Sequence, residues 1–236
     1  MKKKRKKVKR LTLLFLSGFL MSFMLVAGIL SAAAALFSQA EAGLGNQTGD
    51  TSEGINSFPA EVERYRNAVT LYCGQYQIEG YENLVLCVMF RESGGQGNDP
   101  MASSESGYNT RFPREPLSIK DPLYSIDCGV HTLADAITAA GCTSPADFDH
   151  IALALQGYNF GNGYIQWAVD RDGGYTQENA QAFSDMMKAK LGWEVYGNPG
   201  YAQVILADYR AILYGGDNGI ILPGTDQGIS VVYFNQ

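Results

Sequence analysis

Seven consecutive apolar residues, Leu84 to Phe90, run directly into Arg91-Glu92-Ser93-Gly94-Gly95. Such a stretch reads as the end of a buried helix, closed by glycines where the backbone must change direction. Glu92 is thereby placed at the lip of a core, partly out of water. Burial disfavours the ionised carboxylate and raises its pKa, as a general acid working near neutral pH requires. Asp99 follows in the turn-rich stretch Gly97-Asn98-Asp99-Pro100. A second carboxylate on a loop facing the first is the arrangement used in glycoside hydrolysis. The ordinary alternative is a solvated Glu at a helix end and a turn-forming Asp before Pro.

Helical periodicity extends to both sides of this stretch. After Pro59, Val62, Tyr65, Val69 and Tyr72 recur at spacings of three and four, which predicts a helix closing near Gln77. A second helix follows from Tyr81 to Glu92. Asn98 to Pro116 is rich in Ser, Asn, Pro and Gly, and reads as a long loop of the kind that often carries function. Asp121-Pro122 is an N-cap and first-turn pair, and Gly141 ends the helix they open. Further helix starts stand at Ser144 to Asp147, Thr176 and Pro199; the first of these leads into the apolar Ile151 to Leu155 and then into Gly157 to Gly163 (GYNFGNG). No strand alternation and no repeat appear. The body, residues 58–214, is predicted to be all-α.

The ends differ from this body. Residues 1–10 carry 8 of the 18 Lys+Arg and no acid, a cationic cap expected to stay cytoplasmic. Residues 11–37 hold no charge over 27 positions, long enough for a single transmembrane anchor. Gln39 to Ala42 has the small residues of a cleavage site, but the length favours an uncleaved anchor with the body outside the cell membrane. Residues 38–57 are predicted to be a flexible stalk of Gly, Ser, Thr, Asn and acid. Residues 215–236 read as a linker and the first strand of a downstream domain. Beyond the cap, 10 Lys+Arg face 24 Asp+Glu, a net charge of −14 that excludes a nucleic-acid partner.

Four cysteines, Cys73, Cys87, Cys128 and Cys142, lie outside the apolar segment. An even count in an exported domain suggests disulfides, with three connectivities open. Equally, Cys87 inside an apolar helix reads as a small buried hydrophobe. No cysteine pair has zinc-site spacing, and neither metal nor cofactor is expected.

The ordered set Arg91-Glu92-Ser93-Gly94-Gly95, Asn98-Asp99-Pro100-Met101 and Ser104-Glu105-Ser106 resembles the catalytic region of a bacterial lysozyme-like domain. That domain occurs in cell-wall hydrolases of Gram-positive conjugative elements and is similar to goose-type lysozymes and lytic transglycosylases. Ser125-Ile126, Gly129-Val130, Tyr158 to Ile165 and Tyr196-Gly197-Asn198-Pro199 extend the resemblance over roughly residues 60–212.

The resemblance implies a lysozyme-like helical domain with a catalytic cleft. Glu92 would be the general acid and Asp99 would position or activate water. Ser93, Met101, Ser104, Tyr158 and Asn159 would meet the substrate, with the Tyr158 hydroxyl helping to hold Glu92. The implied substrate is peptidoglycan, cut by an N-acetylmuramidase that opens the wall locally for a conjugative secretion machine. A lytic transglycosylase without a second carboxylate, and a non-catalytic glycan-binding scaffold, are the rival readings. Ala102 departs from the family, which often has Gln after this Met. The tail from Val231 is similar to the opening of a papain-like peptidase domain.

Overall fold

In the computed structural model, residues 55 and 57–215 are described, and every regular element among them is a helix. The helices are α1 (Ala60–Glu63), α2 (Arg66–Gln75), α3 (Glu82–Ser93), α4 (Pro122–Ala140), α5 (Phe148–Phe160), α6 (Gly163–Asp172), α7 (Gln177–Leu191) and α8 (Tyr201–Tyr214). The all-α reading of the body therefore holds. The basic cap, the anchor, nearly all of the stalk and the downstream fragment lie outside the described residues. Among those that are described, no helix is long and apolar enough to cross a membrane.

Helix α5 is the hub, packed against α4, α6 and α8. Its residues Ile151 to Gly157 are all buried, so it lacks a solvent stripe through its middle turns. Helix α3 packs against α1, α2 and α8. Its core is the apolar run itself, Leu84 to Met89, with every residue fully buried. The predicted caps of α4 are present. The Asp121 carboxylate accepts from the amides of Leu123 and Tyr124 at 3.2 and 3.3 Å, and Gly141 closes the helix in the left-handed region.

One helical expectation is corrected and one helix is added. The single helix after Pro59 is broken at Arg64-Tyr65 into α1 and α2. Here the turn after α3 presses on α1: a Cβ at Gly95 would stand 2.3 Å from the Glu61 carbonyl oxygen, and the Arg64 guanidinium donates to the Gly95 carbonyl at 2.8 Å. Helix α6 is one the periodicity does not predict, since Gly161 and Gly163 flank its start. Its burial signal is Tyr164, Ile165 and Ala168. Ile165 lies over Gly157 of α5, where a Cβ would meet its Cγ1 at 2.5 Å, so the glycine permits the close α5–α6 contact.

Residues 94–121 contain no regular element, as the Ser- and Pro-rich composition predicts. They form an ordered loop with a small core of their own: Ile119, Tyr124 and Cys128, with Tyr108 and Phe112 packed against them. The Tyr124 hydroxyl accepts from the amides of Thr110 and Arg111 and donates to the Tyr108 carbonyl, clasping the loop to α4. The disulfide expectation is not met. All four cysteines are free, three of them buried, and burial pushes the Cys142 thiol up to about 12.

Candidate active site

The last turn of α3 carries Arg91, Glu92 and Ser93, and each is fixed by a different partner. The Arg91 guanidinium makes a two-point ion pair with Asp208 of α8, through a short Nε contact and an Nη2 bond of 2.7 Å. Asp208 is completely buried, so this pair stays intact only with both members present. The Ser93 hydroxyl donates to the Pro100 carbonyl at 2.8 Å and accepts from the Gly95 amide at 3.1 Å. The turn leaving α3 and the loop beyond it are thus tied to the helix end.

Between them Glu92 is half-buried at the lip of the core. Tyr201, the first residue of α8, donates its hydroxyl to Glu92 Oε1 at 2.5 Å. Burial pushes the Glu92 carboxyl up to about 7; the Tyr201 bond opposes this rise and the Asp99 charge adds to it. A protonated carboxyl at neutral pH with a fixed orientation is what a general acid needs. Burial and the Glu92 charge together hold the Tyr201 hydroxyl well above its ordinary value, so it remains a donor.

Asp99 is buried and its two oxygens are occupied. Oδ1 accepts from the Ser125 hydroxyl at 2.6 Å and the Ser103 amide at 2.9 Å. Oδ2 accepts from the Ser104 amide at 3.1 Å and from the Ser104 hydroxyl. A carboxylate offers about four lone-pair positions, and these four donors fill them. The expectation of a carboxylate free to hold water is therefore corrected: Asp99 organises the loop and acts on Glu92 through its charge.

The remaining predicted contacts also turn inward. Met101 is fully buried over Gly129 of α4, where a Cβ would come 2.5 Å from its own Cβ. Ser104 is buried, accepting from the Ile119 amide at 3.0 Å while it bonds Asp99. Both are loop-forming rather than substrate-facing. The Tyr158 hydroxyl feels the Glu92 charge but donates to the Met101 carbonyl at 3.0 Å. The tyrosine that holds the acid is Tyr201, on which Tyr158 stacks with centroids 6.3 Å apart. Asn159 Oδ1 accepts from the Asn198 amide at 2.7 Å and so pins the Tyr196-Gly197-Asn198-Pro199 turn. Gly197 is needed there: a Cβ would stand 2.4 Å from the Phe160 ring and 2.8 Å from Asn159 Oδ1.

Sequence reasoning missed Tyr201 and left Ser125 without a role. The available signal for Tyr201 was its place two residues after the Pro that starts the last helix. Among the described residues no His, Cys, Asp and Glu group is arranged to hold a metal.

Known proteins resemble this chain over the same helical body. A family model described as lysozyme-like matches residues 59–218. The bifunctional muramidase/DL-endopeptidase CwlT of Bacillus subtilis is 34% identical over 146 residues, which cover 62% of this chain and 41% of that protein. The uncharacterized membrane protein YocA of the same organism is 34% identical over 113 residues, 48% of this chain and 46% of that one. The chain thus spans under half the length of both curated relatives. A solved structure of a Staphylococcus aureus protein of the NLP/P60 family, described as similar to lipoprotein, superposes with a TM-score of 0.54 at 27% identity, covering 66% of this chain and 54% of that one.

Proposed function

The chain belongs to the lysozyme-like family, and from that premise we propose that it is a membrane-anchored N-acetylmuramidase acting on peptidoglycan. The observation that carries the reading is the half-buried Glu92 carboxyl, hydrogen-bonded by Tyr201 at the end of an apolar helix. Glu92 gives its proton to the glycosidic oxygen of the MurNAc-β-1,4-GlcNAc bond as the C–O bond breaks and an oxocarbenium-like centre develops. Water then adds to that centre and leaves a reducing muramic acid end. The muramidase named in CwlT supports this substrate class. The uncharged segment 11–37 supports the anchor, and the resemblance to domains of conjugative elements supports local wall opening for a secretion machine.

One observation favours a second reading. Both Asp99 oxygens are filled by protein donors, which leaves that carboxylate no lone pair for a water. In a lytic transglycosylase the sugar's own 6-hydroxyl attacks, and the product is lighter by one water. Digestion of purified cell walls by the full chain, followed by mass spectrometry, tests both. Reducing muramic acid ends support the muramidase; uniform anhydro ends replace it with the transglycosylase. No cleavage by the parent, with glycan still bound, replaces both with a binding scaffold.

A further inference from the structure

We propose that Ser125 is a positioning residue for Glu92, acting from α4 through the loop that carries Asp99 and Met101. The proposal deepens the reading of Glu92 as the acid and rests on it.

Ser125 is fully buried. A serine inside a helix ordinarily points to solvent or bonds back to its own preceding turn. Here its hydroxyl does neither. Oγ–H donates to Asp99 Oδ1 at 2.6 Å, and the Met101 amide donates to the same Oγ at 3.1 Å. The Ser125 carbonyl accepts from the Ser103 hydroxyl at 2.7 Å. One residue therefore fixes the loop at three successive points, and Gly129, one turn further along the same face, leaves the space in which Met101 lies.

Two routes lead from this anchor to the acid. The first is steric. The carbonyl of Met101, whose amide Ser125 holds, receives the Tyr158 hydroxyl; Tyr158 stacks on Tyr201; and Tyr201 is bonded to Glu92. The second is electrostatic. The charge of Asp99, held in place by Ser125, adds to burial in raising the Glu92 carboxyl. Removing the Ser125 hydroxyl takes a donor from Asp99 and the acceptor from the Met101 amide, and lets both move away from the acid.

A merely structural serine would lower the melting temperature and leave the chemistry of the surviving folded protein unchanged. A positioning residue changes the acid itself. The test uses the full chain carrying Ser125→Ala and, as a variant that fills similar space with a weak donor, Ser125→Cys. On soluble glycan, kcat is expected to fall by about tenfold with KM within about twofold, the mark of an interaction made in the transition state. The alkaline limb of the pH–rate profile is expected to move to lower pH. Isotope-edited infrared titration of the Glu92 carboxyl, assigned with Glu92→Gln, reads the same shift without turnover. A parent that does not cleave glycan therefore overturns the proposed function while this inference is still judged by the titration. Should Ser125→Ala not melt cooperatively, Ser125→Cys is read alone. A folded variant with the parent's kcat and the parent's Glu92 titration overturns the proposal.

Discussion

The hydroxyl of Tyr201 lies 2.5 Å from Glu92 Oε1, although the two residues are 109 positions apart in the chain. The bond joins the end of α3 to the start of α8 and sets the orientation of the carboxyl. It also favours the ionised form, against the effects of burial and of Asp99. Tyr201→Phe removes the donor and keeps the ring. Glu92 should then titrate above about 7, so the alkaline limb of activity moves to higher pH. Loss of orientation should lower kcat by about tenfold, within the range general acid catalysis supplies. A pH–rate profile of the variant checks both; a limb that moves to lower pH would contradict the sign.

Glu92 itself links pH to stability. Its pKa rises on folding from 4.5 to about 7. The folded state thus keeps a proton that the unfolded chain releases between those values. The stabilising contribution is full below about 4.5 and is lost as pH rises through about 7. Glu92→Gln mimics the protonated form at every pH. It should abolish wall cleavage and yet stabilise the protein at pH 8, by up to about 3 kcal/mol, with no gain near pH 4. Chemical denaturation at the two pH values measures this. Equal differences at both would show that the carboxyl is not held neutral.

Asp208 is buried beneath Arg91, which is partly exposed. Asp208→Ala leaves the guanidinium without its carboxylate and separates α3 from α8. A loss of roughly 2–4 kcal/mol is expected, towards the lower side of what a broken buried pair costs because Arg91 still reaches water. Urea unfolding measures it. Activity should fall as well, since Arg91 and Glu92 are adjacent.

The four thiols give a chemical count. Unfolded without reductant, the chain should react with four equivalents of a thiol reagent, because Cys73, Cys87, Cys128 and Cys142 are all free. In the native state Cys142 is the accessible one, and its raised pKa makes it slow, since the thiolate is the reacting species. A count of two or none on unfolding would restore the disulfides.

The end of α3 was legible because one apolar run, one charged pair and two glycines mark it within a dozen residues. The caps of α4 were legible for the same reason: Asp121, Pro122 and Gly141 act on the nearest turns. Contacts made across the fold were not. Ser103, Ser104 and Ser125 read as polar loop and helix residues, and nothing local shows that all three converge on Asp99. Tyr158 and Tyr201 are interchangeable in composition, and only packing decides which hydroxyl reaches Glu92. Helix α6 was hidden by its own entry, where Gly161 and Gly163 outweigh a short burial pattern.

The α3–α8 junction also limits how this domain can recombine with its relatives. Glu92 pairs with Tyr201, and Arg91 with Asp208. Any single crossover between residues 93 and 200 draws the two sides of both pairs from different parents. A chimera built that way inherits an acid from one lineage and its orienting hydroxyl from another. Such hybrids keep a fitted site only where both parents share all four residues, so the stretch from α3 to α8 is expected to be exchanged as a single block.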